Sequence, residues 1–169
     1  MRTPDPEGVA RTLPRGAAIV YRHFGAPDAE AVARRLLAIA RSRRLTLLIG
    51  RDAALAARIG AGGVHLPQRL AHRAQALKRA RPDWIVTAAA HSLAAARRRG
   101  PDAVVVSTAL PSRSASAGRP LGPVRLARLA RLAGQPVYAL GGVTNETARR
   151  LVDAGLVGLA AVEGLSPRT

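Results

Sequence analysis

The chain has 169 residues, no cysteine and a formal net charge of +17, and these values exclude several classes of protein. A chain of this length can form one domain with a substantial core. The lack of cysteine excludes disulfides and thiolate metal sites. No apolar run approaches the roughly 18 residues of a membrane-spanning helix, and the polar N-terminus lacks the apolar segment of a signal peptide. We therefore expect one cytoplasmic domain over residues 1–169 and no membrane partner.

The positive charge comes almost entirely from arginines that lie beside alanines on predicted helix faces, and Lys78 is the only lysine. Aromatic residues make up 2% of the chain, so platforms for base stacking are nearly absent. No helix-turn-helix, RNA-recognition or zinc-finger pattern occurs. A solvated helix surface is the simpler interpretation, and attraction of nucleic acid or an anionic metabolite is the alternative. We do not expect nucleic acid to be the partner.

Strands and helices alternate along the whole chain. The apolar runs predict strands at 17–24, 45–49, 63–66, 84–89, 102–109, 137–140 and 156–162. The apolar periodicity and the caps predict helices at 7–12, 28–43, 53–59, 70–81, 92–99, 124–133 and 144–153. Nearly continuous apolar strands with helical crossovers favour a parallel sheet that is covered on both sides or closed as a barrel.

The pair Gly141-Gly142 directly follows an apolar strand and precedes a helix that Thr144 can cap. Glycines at this place let backbone N–H groups approach an oxyanion, and the start of a helix adds partial positive charge. The pair therefore fits a phosphate-binding turn. It also fits a tight connection between strand and helix, which is the simpler interpretation of two glycines alone.

Polar side chains gather at the ends of the predicted strands, which in parallel α/β folds is the face that binds ligands. This face is rich in arginine, histidine and hydroxyl groups and suits an anionic, phosphorylated ligand. Simpler roles remain open: His65 as a core histidine, His91 as a brace for the next helix beside Ser92, and 112–116 as a flexible loop. The strand-end residues are Arg22, His23, Arg51, Asp52, His65, Gln68, His91, Ser107, Thr108, Gly141, Gly142 and Glu163.

Three segments carry a resemblance to a known family: GAGGVHLPQ at 60–68, TAAAHSLAAARRRGPDAVVVSTALPSRS at 87–114 and YALGGVTNETARRLVDAGLVGLAAVEGL at 138–165. They resemble the thiamine-phosphate synthase superfamily, which includes the TenI-type thiazole tautomerases. The resemblance implies a TIM (β/α)8 barrel. It also implies an Mg²⁺-dependent condensation of hydroxymethylpyrimidine diphosphate with thiazole phosphate that releases pyrophosphate through a carbocation-like pyrimidine.

The resemblance places the beginning of this chain after the first strand of the family barrel. An open barrel would leave two strands with unpaired backbone edges. We therefore expect either a further N-terminal segment or a partner, such as a second copy of the chain, that covers the gap.

The resemblance carries part of the family site onto this sequence. Arg22 matches a family arginine, and Ser112 and Ser114 keep hydroxyls where the family has threonines, so these residues are the catalytic candidates. A tautomerase-type histidine would fall near Thr108 and is absent. The candidates for binding phosphate or substrate are Arg22, His23, Arg51, His65, Gln68, Ser92, Gly141, Gly142 and Gly164.

The family metal site is the part that this sequence does not match. Arg51 and Leu70 stand at the two positions where the family has metal-binding aspartates, and Ala115 replaces a lysine that grips pyrophosphate. Since Mg²⁺ prefers carboxylate and phosphate oxygens, the Mg²⁺ that the family implies is doubtful here, and Asp52 could serve only after a local shift. Arg51 could supply the missing positive charge. A non-catalytic or regulatory protein that binds phosphorylated ligands is the alternative to a synthase.

Overall fold

The computed structural model describes residues 5–114 and 117–162, and in these residues seven strands form one parallel sheet. The strands pair in chain order, which confirms the predicted parallel sheet. Tyr21 of the first strand pairs with Ile49 of the second, and the same parallel register continues to the last strand. The strands are β1 (Ala18–Tyr21), β2 (Thr46–Gly50), β3 (Gly63–Leu66), β4 (Ile85–Ala90), β5 (Ala103–Ser107), β6 (Val137–Leu140) and β7 (Gly158–Ala160).

Helical segments connect the strands, as the alternation in the sequence predicts. Helices α4 and α7 are each joined to a 3-10 segment, Gln68–Arg73 before α4 and Arg149–Leu151 after α7. The α-helices are α1 (Pro6–Thr12), α2 (Ala29–Arg43), α3 (Ala53–Ile59), α4 (Ala74–Ala80), α5 (Leu93–Ala96), α6 (Gly122–Ala133) and α7 (Asn145–Ala148).

Three predicted helices are shorter as α-helices in the structure. The helix predicted over 70–81 begins in the 3-10 segment, so only Ala74–Ala80 is α-helical. The helix predicted over 92–99 ends at Ala96 because the Gln135 side chain donates hydrogen bonds to the carbonyl oxygens of Ala96 and Arg98, which replaces further helical bonding. The helix predicted over 144–153 leaves the α conformation after Ala148 and continues as a 3-10 turn, a common way for a helix to end.

Asp28, Ser92 and Thr144 stand at the first positions of three predicted helices, and two of these three side chains cap their helix in the structure. The Ser92 hydroxyl accepts a hydrogen bond from the Ala95 amide, and Thr144 forms a capping box with Thr147. Asp28 precedes α2, but its side chain makes no capping hydrogen bond. Its backbone lies at φ −90° and ψ 10°, away from the extended conformation from which a cap side chain reaches the helix amides.

Alternate side chains of each strand pack against the helices and form the core. Leu47, Ile49 and Val64 belong to a cluster with the first helices, and Val106 and Val137 belong to a second cluster that includes residues of α6. Each of these five side chains is at most 1% exposed. The core therefore lies between the sheet and its helices.

The opposite face of the sheet carries a different set of side chains. Thr87 and Tyr138 lie on this face, one residue along from Val86 and Val137 of the core. A Cβ at Gly158 would lie 2.6 Å from the Tyr138 ring, so the glycine allows that ring to lie over β7. Among the described residues β1 and β7 each have a neighbour on one side only, and no described helix is long and apolar enough to cross a membrane.

Helix α6 provides a matched test of the core. Leu126 is fully buried and Leu132 is 45% exposed. We expect Leu126→Ala to lower the free energy of unfolding by about 2–4 kcal/mol, because it removes buried methyl groups and leaves a cavity. Leu132→Ala should cost less than about 1 kcal/mol. Urea unfolding of both variants checks this, and equal losses would contradict the placement of α6.

Candidate functional site

The carboxyl ends of the parallel strands lie at one edge of the sheet, and Arg22 is the first charged side chain there, directly after β1. Its aliphatic stem packs over Gly50 at the end of β2, where a Cβ would lie 2.6 Å from Arg22 Cγ. The Arg22 guanidinium lies 4.6 Å from the centre of the exposed Phe24 ring. Gly50 therefore provides the space that Arg22 occupies, and Phe24 supports the charged end.

His23 and Asp52 connect the ends of β1 and β2. His23 Nδ1 accepts a hydrogen bond from the Gly25 amide at 3.0 Å, so the ring proton of neutral His23 lies on Nε2. Nε2 lies 3.5 Å from Asp52 Oδ2. Asp52 Oδ1 accepts from the Leu55 amide at 2.8 Å and caps α3. Both carboxylate oxygens of Asp52 therefore have partners within the protein.

Arg51 lies beside this pair at the end of β2. Its backbone is in the left-handed region at φ 70°, and its amide donates to the carbonyl oxygen of His65 at 2.8 Å. The side chain is exposed. Arg22 and Arg51 thus follow two adjacent strands, and each presents a guanidinium group to solvent at the same edge of the sheet.

His65 lies in β3, where it faces away from the helices. Its Nδ1 lies 2.9 Å from the Thr87 hydroxyl of β4. Burial, with a smaller contribution from the Arg22 charge, lowers the pKa of His65 from 6.5 to about 4. His65 is therefore neutral at pH 7 and hydrogen-bonded inside the fold, which agrees with the simpler of its two interpretations.

The side chains of Gln68 and Ser92 also accept hydrogen bonds from backbone amides. Gln68 Oε1 accepts a hydrogen bond from the His91 amide at 2.7 Å, and Ser92 Oγ accepts from the Ala95 amide at 3.2 Å. Gln68 therefore fixes the end of β4, and Ser92 begins α5. The His91 ring does not brace that helix, since its Nδ1 lies 3.0 Å from the Ser107 carbonyl oxygen.

The loop after β5 folds back onto the strand end and forms a cavity. Thr108 holds this loop in place. Its carbonyl oxygen accepts a hydrogen bond from the Leu121 amide at 2.9 Å, and its hydroxyl accepts one from the Gly118 amide at 3.1 Å. Ser112 Oγ accepts from the Ser114 amide at 3.2 Å. The cavity measures about 360 Å³ and is lined by His91, Ser107, Thr108, Gly118 and Arg119.

The sequence places His91 at a strand end and Arg119 in the loop after β5, but it does not predict that the two residues line the same cavity. His91 stands near the end of a predicted strand, as the chosen candidates Arg22 and Arg51 do. Arg119 is one of two arginines in the loop that leads from β5 to α6. Only the contacts of Thr108 with the loop reveal that Arg119 and His91 line one cavity.

The Gly141-Gly142 turn lies beside the same loop. The Leu110 amide donates to the Gly141 carbonyl oxygen at 3.0 Å, and Thr147 Oγ1 donates to the Gly142 carbonyl oxygen at 2.7 Å. Both glycines have positive φ, +102° and +66°. A Cβ at Gly142 would lie 2.2 Å from the Pro111 carbonyl oxygen. Both the backbone conformation and the close approach of the loop require glycine here.

Three residues of the sequence-based site lie outside the described residues: Ala115, Glu163 and Gly164. Within residues 5–114 and 117–162 no group of three or more His, Asp or Glu side chains could hold a metal ion. Asp52 is the strand-end carboxylate in these ranges, and it already caps α3 and contacts His23. The described side chains therefore do not fit a carboxylate site for Mg²⁺.

The fold and the site define a parallel α/β protein whose strand-end face combines arginines with a double-glycine turn. Comparison with known proteins gives the family. The family model for thiamine monophosphate synthase matches residues 3–165, and the chain belongs to this family, which confirms the resemblance found in the sequence.

Two curated relatives and one solved structure illustrate the similarity. The chain is 33% identical to a thiamine-phosphate synthase of Thiobacillus denitrificans, with 96% of this chain and 82% of the relative covered. It is 31% identical to a putative thiamine-phosphate synthase 2 of Aquifex aeolicus, over 78% and 72%. A thiamine phosphate pyrophosphorylase from Pyrococcus furiosus superposes with a TM-score of 0.78 at 25% identity, over 94% and 79%.

The buried His65 predicts a dependence of stability on pH. Its pKa is about 4 in the folded protein against an ordinary value of 6.5, so the unfolded chain takes up the proton first as the pH falls. The folded state should therefore lose stability between pH 6.5 and 4, and we expect the loss by pH 4.5 to be about 2 kcal/mol larger in the wild type than in His65→Gln.

Urea unfolding at pH 7 and pH 4.5 measures this difference. His72→Gln is the matched control, since His72 is exposed on the 3-10 segment, and it should follow the wild type. The interpretation of His65 is wrong if His65→Gln loses as much stability as the wild type between the two pH values.

Proposed function

We propose that this chain acts in thiamine biosynthesis as a thiamine-phosphate synthase-type transferase. In the proposed reaction the bond between the pyrimidine methylene carbon and the diphosphate oxygen breaks, the thiazole nitrogen bonds to that carbon, and pyrophosphate leaves. Membership of the family supports the reaction class. The observation that carries it for this chain is the pair of exposed arginines, Arg22 and Arg51, at adjacent strand ends.

We infer that arginine charge, rather than a metal held by protein carboxylates, stabilises the departing pyrophosphate. Guanidinium groups can bind phosphate oxygens in two parallel hydrogen bonds, and fixed charge placed where negative charge develops lowers the barrier. The packing of Arg22 over Gly50 supports this proposal, since it fixes the stem of Arg22 beside the strand that carries Arg51. Arg113 and Arg119 belong to the segment between β5 and α6. These two cations could replace the family lysine whose position Ala115 occupies in this chain.

We propose that the thiazole phosphate binds at the Gly141-Gly142 turn. The close contact of this turn with the loop at 110–111 supports the proposal, because it brings the backbone amides of the glycines close to the segment that carries Ser112 and Ser114. The two serine hydroxyls would then contact the bound phosphates. Gly164 belongs to the proposed site on the family resemblance alone.

The direct test is the formation of thiamine phosphate from hydroxymethylpyrimidine diphosphate and thiazole phosphate by the purified protein. We expect stoichiometric release of pyrophosphate with the product. If both substrates bind and no product forms, the transferase proposal fails and the binding-protein alternative replaces it.

Single substitutions test the two arginines. We expect Arg22→Ala and Arg51→Ala each to lower kcat/KM at least about tenfold, because each removes a charge that faces the diphosphate. Arg79→Ala is the matched control, since Arg79 is exposed on α4 on the helix layer. Unchanged turnover in Arg51→Ala would rule out this arginine as the replacement for metal charge.

A non-catalytic protein that binds phosphorylated ligands is the second candidate. Asp52 already caps α3 and contacts His23. These contacts favour the binding protein, because the family reaction relies on carboxylates that hold Mg²⁺. A double substitution, Arg51→Asp with Leu70→Asp, distinguishes the two. Activity that appears only in the double variant with Mg²⁺ would indicate a synthase that lost its metal site.

We also propose that the sheet is part of a (β/α)8 barrel and that a second copy of the chain covers the opening between β1 and β7. The outer edges of β1 and β7 support this proposal, since neither has a neighbouring strand among the described residues. The apolar side chains Val20 and Leu159 also support it, because they are 39% and 42% exposed. We expect sedimentation equilibrium to give the mass of a dimer for the wild type and a lower mass for Leu159→Glu. A monomer mass for the wild type at all concentrations would exclude the second copy.

A further inference from the structure

The neutral His91 ring is held in one tautomer by Ser107. Its Nδ1 lies 3.0 Å from the Ser107 carbonyl oxygen and 3.1 Å from the Ser107 hydroxyl. A carbonyl oxygen can only accept a hydrogen bond, so Nδ1 must carry the proton. A neutral imidazole with its proton on Nδ1 has its lone pair on Nε2. His91 therefore presents a hydrogen-bond acceptor at the outer side of the ring.

The backbone of His91 is fixed as well. Gln68 Oε1 accepts from the His91 amide at 2.7 Å, so both the main chain and the ring are anchored by neighbouring strand ends. In the part of the chain that the structure describes, Nε2 itself has no hydrogen-bond partner. His91 is exposed and lines the cavity of about 360 Å³ together with Ser107 and Arg119.

The other side chains of this cavity differ from His91 in their chemistry. Arg119 offers only donors and a positive charge. The Ser107 hydroxyl oxygen lies 3.1 Å from the same Nδ1–H, which it can share with the carbonyl oxygen only as an acceptor, so its own O–H can donate to a ligand. A ligand that satisfies both kinds of group carries an anionic part for Arg119 and an N–H or O–H donor for His91.

We propose that His91 selects the pyrimidine substrate by accepting a hydrogen bond on Nε2 from the exocyclic amine of its ring. Gln68 and Ser107 are positioning residues that hold the His91 backbone and ring. This inference rests on the proposed function. Of the two substrates proposed above, the pyrimidine diphosphate is the one that combines an amine donor with an anionic group.

Two substitutions separate the two nitrogens of the ring. In His91→Asn the side-chain amide can still donate to the Ser107 carbonyl oxygen, as Nδ1 does, but no atom remains at the position of Nε2. In His91→Gln the longer side chain can return an acceptor close to that position. The ligands are hydroxymethylpyrimidine diphosphate with its amine, the analogue with hydrogen in place of the amine, and inorganic pyrophosphate.

Calorimetric titration gives the dissociation constant of each ligand for each protein. We expect the wild type to bind the pyrimidine diphosphate with the amine about fivefold to tenfold more tightly than the analogue without it. This is the usual contribution of one hydrogen bond to affinity. His91→Asn should lose this preference and bind pyrophosphate as the wild type does. His91→Gln should recover part of the preference, and both variants should unfold at the wild-type urea concentration.

The outcomes distinguish this inference from the proposed function. If the wild type prefers the amine and His91→Asn keeps the preference, the role of His91 is excluded while the proposed function stands. An equal loss of affinity for all three ligands in His91→Asn would show a structural role and also exclude it. If the wild type binds no pyrimidine diphosphate, the proposed function fails and this inference fails with it.

Discussion

Parallel pairing of the strands in chain order is the constraint on which the rest of this structure depends. It places the carboxyl end of every strand at one edge of the sheet, so Arg22, His91 and Gly141, which are far apart in sequence, lie at the ends of β1, β4 and β6 on the same side. It also buries alternate side chains against the helices, which makes the strand register hard to change. The site is therefore a consequence of the register, and the loops supply its chemistry.

Within that face, many polar groups serve the fold rather than a ligand. Asp52 and Ser92 cap helices, Gln68 holds the end of β4, and His65 bonds to Thr87. These interactions stabilise the strand ends because buried or half-buried polar groups need partners. The groups left for a ligand are mainly cationic or acceptor side chains on exposed positions, together with the double-glycine turn. This division favours a site that recognises phosphate by charge.

The sequence predicted the architecture well because apolar strands and helix caps are local signals. All seven described strands overlap a predicted strand, and Thr144 caps α7 as expected. The site was less predictable. Residue type at a strand end does not reveal whether the side chain bonds to its neighbours, as it does for Gln68, or lines a cavity, as it does for His91. Similarly, Asp28 occupies the cap position of α2 as predicted, but its backbone conformation, which the residue type does not reveal, leaves its side chain without a capping hydrogen bond.

We propose that arginines replace metal charge in the binding of a diphosphate, and calorimetric titration with pyrophosphate shows whether they do. The titration is made once with Mg²⁺ and once with a chelator, on the wild type and on Arg51→Ala. We expect pyrophosphate to bind the wild type equally well with and without Mg²⁺, and to bind Arg51→Ala at least about tenfold more weakly. Binding that requires Mg²⁺ and is unaffected by the loss of Arg51 would contradict it.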